Sequence, residues 1–171
     1  MSDFSTCYSW MLANEDAAHA YATVPDAPPG AEAISGINSV AFPSEFAAIN
    51  AIPQAQRGSA VENFYETCFW NQWIAQVASN DVAKRVFDAM VNMGPSTACR
   101  LLQAAVNTRT QPQIATDGNW GPATVAAANA CDPVALMGAF IAARVQHYRD
   151  IVAANPNDQQ YLAAWLARTS K

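Results

Sequence analysis

Basic residues are scarce: nine lysines and arginines stand against fourteen aspartates and glutamates, for a formal charge of −5. A surface that tracks phosphates needs a stripe of cations, so no nucleic acid partner is expected. Charged residues make up only 13% of the chain against 51% hydrophobic, too apolar a balance for a disordered protein. No apolar run reaches the roughly 18 to 20 residues of a membrane-spanning helix, because Asn, Arg or Gln interrupt the longest candidates, so no membrane insertion is expected. The start, Met1-Ser2-Asp3-Phe4, lacks the basic region and apolar stretch of a secretory signal, which predicts synthesis in the cytoplasm without signal-peptide export. Cys7, Cys68, Cys99 and Cys131 form no CxxC pair and no Cys/His cluster, a spacing that argues against a zinc site. Buried free thiols are the expectation, with disulfide pairing left open by the even count. His19 and His147 sit in no nucleophile motif, so a Ser or Cys hydrolase with a histidine base finds little support.

What remains is an alanine-rich chain of 171 residues, enough for one domain or two tightly joined lobes built of packed helices. Phe4, Cys7, Tyr8, Met11 and Leu12 recur at helical spacing and mark a first helix with one apolar face. Eleven steps of about 100° bring Glu15 back to within roughly 20° of Phe4, on that same face, while Asp16 swings off it. From Ala22 to Pro53 the prolines and glycines break every helical period, predicting an ordered loop region with a short hairpin around Ile34 to Val40. A second helix is expected over Ser59 to Phe69, within an aromatic cluster of Phe64, Tyr65, Phe69, Trp70 and Trp73. Val82, Val86, Phe87, Met90 and Val91 predict a buried helix stopped by Gly94-Pro95, and Ala98, Leu101, Leu102 and Ala105 begin the next. Gly121-Pro122 opens a short helix, and Asp132-Pro133 reads as an N-cap with proline at the first helical position. Val134, Met137, Ile141, Val145 and Tyr148 form the apolar stripe expected of that helix, and Tyr161, Leu162, Trp165 and Leu166 that of the last.

A carboxylate at the C-terminal end of an apolar helix face experiences burial and the negative end of the helix dipole, both of which favour its protonated form. That environment suits a glycosidase acid, which donates a proton to a leaving sugar oxygen. Glu15 is therefore the candidate catalytic acid. Sugar hydrolysis also recruits a second carboxylate, for which Asp26 and Glu32 in the Pro/Gly-rich segment are the candidates. Tyr65 and Trp70 of the aromatic cluster, with Asn92, are the candidate substrate-binding residues. Asp88 and Asn92 share a helix face at i and i+4 inside an apolar segment, so at least one should be buried and hydrogen-bonded.

Five segments taken in order resemble one family: Glu62–Trp70 (ENFYETCFW), Val86–Pro95 (VFDAMVNMGP), Leu101–Gln103 (LLQ), Asp117–Thr124 (DGNWGPAT, a DGxxGPxT turn) and Trp165–Arg168 (WLAR). The chain resembles glycoside hydrolase family 108, N-acetylmuramidases with a C-terminal peptidoglycan-binding region, over nearly its whole length and most strongly from Glu62 onward. The resemblance implies an all-α, lysozyme-like fold with a Pro/Gly-rich loop or small hairpin after the first helix. It implies a catalytic lobe at residues 1–80 packed on a peptidoglycan-binding-like helical lobe at 81–171. Glu15 matches the family's catalytic glutamate, the partner is the peptidoglycan glycan strand, and no cofactor or metal is implied. Activity would then lie in the bacterial cell wall or periplasm, reached by a holin-dependent or secretion-system route. Two stretches depart from the pattern. The family's Glu-Gly-Gly-Tyr reads here Glu15-Asp16-Ala17-Ala18-His19-Ala20-Tyr21, and its Gly-Gly-x-Thr-x-x-Gly-Ile loop reads Pro28-Pro29-Gly30-Ala31-Glu32-Ala33-Ile34-Ser35-Gly36-Ile37. A non-catalytic peptidoglycan-binding protein that keeps the fold is the alternative that these departures raise.

Overall fold

The first helix, α1 (Phe4–Glu15), starts where Asp3 accepts the amide of Thr6 at 2.8 Å, an N-cap that satisfies one of the helix's free donors. Its apolar face falls as the periodicity predicts: Cys7, Tyr8, Met11 and Leu12 are all buried. The helix stops at Asp16, whose backbone leaves the helical region. The computed structural model describes residues 1–169.

A three-stranded antiparallel sheet follows, β1 (Thr23–Asp26), β2 (Ala31–Ile34) and β3 (Ile37–Asn38), in that spatial order. Thr23 pairs with Ile34 and Asp26 with Ala31, so the β1–β2 hairpin runs away from the Ser35-Gly36 turn towards the loop at 27–30. The hairpin expected around Ile34 to Val40 corresponds to the β2–β3 pair, in which Ile34 faces Ile37 and Ala33 faces Asn38, while β1 adds an earlier strand, from Thr23, on the other edge of β2.

The same segment contains a helix that the expectation of a long loop excluded, α2 (Pro43–Asn50). Pro43 sits at its first turn, where a proline costs no hydrogen bond and presets φ, so a residue read as a breaker is a starter. Only Phe46 and Ile49 of α2 are buried, too few positions for a period to register. Then come α3 (Gly58–Cys68), α4 (Asn80–Met93), α5 (Pro95–Asn107), α6 (Pro122–Ala130), α7 (Pro133–Ala154) and α8 (Gln159–Thr169). The fold is mostly helical, consistent with an all-α lysozyme-like architecture.

Helix α4 organises the packing, with α1, α5 and α7 all against it and α8 against α7. One core cluster runs from Cys7 through Phe87 and Met90 to Phe140, so the halves 1–80 and 81–171 share a core. Full burial of a side chain such as Met11 or Leu12 contributes about 1.5 to 3 kcal/mol, which ties α1 firmly to this core.

The α7 stripe is displaced from the expected one. Leu136, Phe140, Arg144 and Tyr148 are buried at steps of four, whereas Val134 is 71% exposed. The apolar pattern excluded Arg144, yet that arginine is drawn inside by a buried carboxylate on α4. All four cysteines are free; three are buried as expected, and Cys68 at the end of α3 is exposed. Among the described residues no single helix is long and apolar enough to cross a membrane.

Candidate functional site

Where α1 ends, the carboxylate of Glu15 is largely buried, with 17% of its side chain exposed. The Ser35-Gly36 turn between β2 and β3 closes over it. A Cβ built on Gly36 would lie 2.6 Å from Glu15 Oε2 and 2.9 Å from the Tyr65 hydroxyl, and Gly36 has a φ of +85°. Both observations require glycine here, the left-handed backbone and the close approach alike. The turn is held on two sides. Tyr65 Oη donates to the Ser35 carbonyl at 2.6 Å, and Ser35 Oγ donates to Asp16 Oδ2 at 2.7 Å.

Asp16 also accepts the amides of Ala20 at 3.1 Å and Tyr21 at 2.8 Å. Burial would raise its carboxyl, but the bonds from Ser35, Tyr21 and Ala20 outweigh it and hold the group below the usual carboxylate range. These bonds hold the turn after Glu15, where the chain has no glycine. His19 and Tyr21 take φ values of 49° and 50°, strained for non-glycine residues, and the Asp16 carboxylate clamps the loop that contains them.

Arg168 of α8 reaches the other side of Glu15. Its Nη2 donates to Glu15 Oε1 at 2.5 Å and to Asp88 Oδ1 at 2.7 Å, while its Nε bonds both Asp88 oxygens. Asp88 is fully buried and also accepts from Arg144 Nη1 at 3.0 Å and Asn14 Nδ2 at 3.1 Å. Two carboxylates and two guanidiniums thus form a neutral quartet, the arrangement that buried charge requires. Burial disfavours the charged guanidinium of Arg168, but its bonds to Asp88 and the charges of Asp88 and Glu15 outweigh this and keep it firmly protonated. Arg144 Nη2 continues the network to the Tyr148 hydroxyl at 3.0 Å, which donates to Asn92 Oδ1 at 2.5 Å. The expectation that Asp88 or Asn92 is buried and bonded therefore holds for Asp88. Beside the quartet opens a cavity of about 460 Å³, lined by Asn14, Asn92, Ala164, Trp165, Ala167 and Arg168.

The other expected site residues lie variously. Asp26 and Glu32 are exposed on the hairpin. Asp26 accepts from Ala27 and Asn38, three residues or about 10 Å of strand from the Ser35-Gly36 end. Among the described residues neither acid bonds Glu15 or Arg168; the acid adjoining Glu15 is Asp16. Tyr65 is 1% exposed, so it supports the Ser35 turn instead of presenting its ring to a ligand. Trp70 is half-buried, edge-on to Phe4 and Phe87. Asn92 does line the cavity.

Residues 97–170 match the family model described as "Predicted Peptidoglycan domain", and this match makes the chain peptidoglycan-related and associates it with the cell wall. No curated protein matches the sequence. Among solved structures, that titled "Structure of Brucella abortus SagA" shares the fold, with a TM-score of 0.68 and 18% identity over 98% of this chain and 89% of that one. The matched C-terminal segment contributes Arg168, the residue that contacts Glu15 at the end of α1.

Proposed function

We propose that the protein is a peptidoglycan hydrolase of the N-acetylmuramidase type, in which Glu15 protonates the leaving oxygen of the glycan strand. The observation that carries this reading is the setting of Glu15: a largely buried carboxyl at a helix end, under an exposed glycine turn, beside a cavity lined in part by the peptidoglycan-related segment. Donation requires the proton to be on Glu15 when substrate arrives. Arg168 can release Glu15 without becoming unpaired, because three of its hydrogen bonds go to Asp88. The hairpin acids Asp26 and Glu32 are this reading's candidates for the second carboxylate. The site of action is the cell wall or periplasm.

A second reading has a specific observation in its favour. Glu15 Oε1 is engaged by Arg168, and a carboxylate held in an ion pair suits a protein that binds the wall without cutting it.

Digestion of purified peptidoglycan, followed by borohydride reduction and mass spectrometry, separates the two. A muramidase generates new reducing N-acetylmuramic acid ends, which reduction converts to N-acetylmuramitol. New N-acetylglucosamine ends would replace the proposed linkage with the other one, and sedimentation with the wall without new ends would establish the second reading.

A further inference from the structure

A second polar cavity, of about 240 Å³, forms at the Asp117-Gly118-Asn119-Trp120 turn between α5 and α6, and it shares no lining residue with the one beside Glu15. Its lining runs from Gln103 to Thr124, inside the segment that matches the peptidoglycan family. The turn is built around Gln103, whose buried amide donates to Asp117 Oδ1 at 2.9 Å, the Asn119 carbonyl at 3.2 Å and Thr124 Oγ1 at 3.1 Å, and accepts the Gly118 amide at 2.9 Å. These bonds fix the Asp117 carboxylate in the lining. The groups that bond it, the Gln103 side chain and the amide and side chain of Asn119, are neutral donors, so they stabilise its charge without cancelling it. They hold the carboxyl down to about 2, ionised at any physiological pH. Arg100 packs on the Gly118 side of the turn, with Nη1 on the Thr116 carbonyl at 3.5 Å, and is not part of the lining. Trp120 is half-buried, its ring held by a bond from Nε1 to the Pro95 carbonyl at 3.3 Å, and Ile114 and Pro122 add apolar wall.

A fixed anion beside an indole and an apolar wall suits a primary ammonium on an aliphatic chain, whose charge meets the carboxylate and ring while its methylenes cover the wall. An acidic ligand would meet repulsion, because the lining contains Asp117 and no cation. The volume lies below the roughly 300 to 1,000 Å³ of sites that enclose a whole small molecule, so the cavity takes a side chain and not a run of sugar rings. Peptidoglycan carries a group of this chemistry: the diamino acid of its stem peptide, whose side-chain amine is free wherever that peptide is not cross-linked. We infer that this cavity holds that free ammonium against Asp117 and Trp120, so that the matched segment recognises the peptide of uncrosslinked wall. The inference rests on the peptidoglycan match of residues 97–170 and not on catalysis at Glu15.

The test titrates the wild-type protein with N-acetyl-L-alanyl-γ-D-glutamyl-L-lysine and with the same peptide acetylated on the lysine amine, followed by nuclear magnetic resonance. Neither peptide has a glycosidic bond, so the result is independent of hydrolysis. The expected outcome is saturable shifts of the Trp120 indole and Asn119 amide signals, with the ammonium peptide bound at least about 3-fold tighter, the combined worth of an exposed ion pair and a cation–π contact. Asp117→Asn should remove the preference. Because Asp117 also holds the turn, Trp120→Leu is the second variant, and it should weaken the ammonium peptide more than the acetylated one. A smaller preference in the wild type, shifts confined to residues outside the turn, or no saturable shift at 100-fold excess would each overturn the proposal. Such a failure with new N-acetylmuramic acid ends still released from peptidoglycan would remove this site and leave the proposed hydrolase standing.

Discussion

Replacing Asp88 by Asn tests how much the buried quartet contributes. The substitution keeps the shape and removes the charge from a fully buried position that faces Arg144 and Arg168. Arg144 is itself only 2% exposed, so it cannot recover solvation when its counter-ion is lost. The new amide nitrogen would also point hydrogens at guanidinium donors, because both Asp88 oxygens now accept from arginines. Breaking a buried pair from one side costs about 3 to 5 kcal/mol, and in a chain of this length each kcal/mol is worth about 2 to 4 °C. The unfolding midpoint should therefore fall by roughly 6 to 20 °C, read by circular dichroism or calorimetry. Asp88→Leu combined with Arg144→Met, which removes both members of the inner pair, should be markedly more stable than Asp88→Leu alone. A midpoint for Asp88→Asn within about 2 °C of wild type would refute the reasoning, since that is the scale of a surface substitution.

Gly36→Ala forces a side chain into a left-handed position against Glu15 and Tyr65, so it should destabilise by about 1 to 3 kcal/mol and lower fragment release at least as much as stability predicts; unchanged activity and stability would show that the turn does not close on Glu15. Asp117 in the DGxxGPxT turn is held down to about 2 by bonds from the Asn119 amide, the Gln103 side chain and the Asn119 side chain. Its folded-state value lies below that of the unfolded chain, so its contribution is full above about pH 4 and is lost as pH falls toward 2. The midpoint advantage of wild type over Asp117→Asn should shrink across that window, and a constant advantage would contradict the assignment. Under native conditions a thiol reagent should modify Cys68 first, because burial pushes Cys7 up to about 12 and Cys99 up to about 11 while Cys68 is exposed; equal rates at all four would mean the core opens readily.

Much of the helical framework is legible in the sequence because period and punctuation agree there. Asp132-Pro133 caps α7 as its chemistry dictates, with the aspartate accepting the Ala135 amide. Glu15 could be placed at the end of an apolar face because eleven residues of regular helix precede it. The site beyond Glu15 was less accessible, since its members meet through tertiary packing over long separations, 153 residues between Glu15 and Arg168 and 80 between Asp88 and Arg168. One local sign was present: Arg144 occupies the position between Phe140 and Tyr148 on a stripe of step four, and a cation there demands a buried partner. Asp16 leaves the apolar face of α1, so helical periodicity gives it no role. That face stops being the relevant frame once the helix ends, and the carboxylate then serves the turn instead.

The most direct measurement is release of soluble fragments from purified peptidoglycan by Glu15→Gln beside wild type. The amide still accepts the Arg168 bond at one oxygen and fills the same space, but it has no proton to give. Release should fall by about 10² to 10⁴, the usual worth of a positioned general acid, while sedimentation with the wall persists. A Glu15→Gln protein as active as wild type would contradict the account.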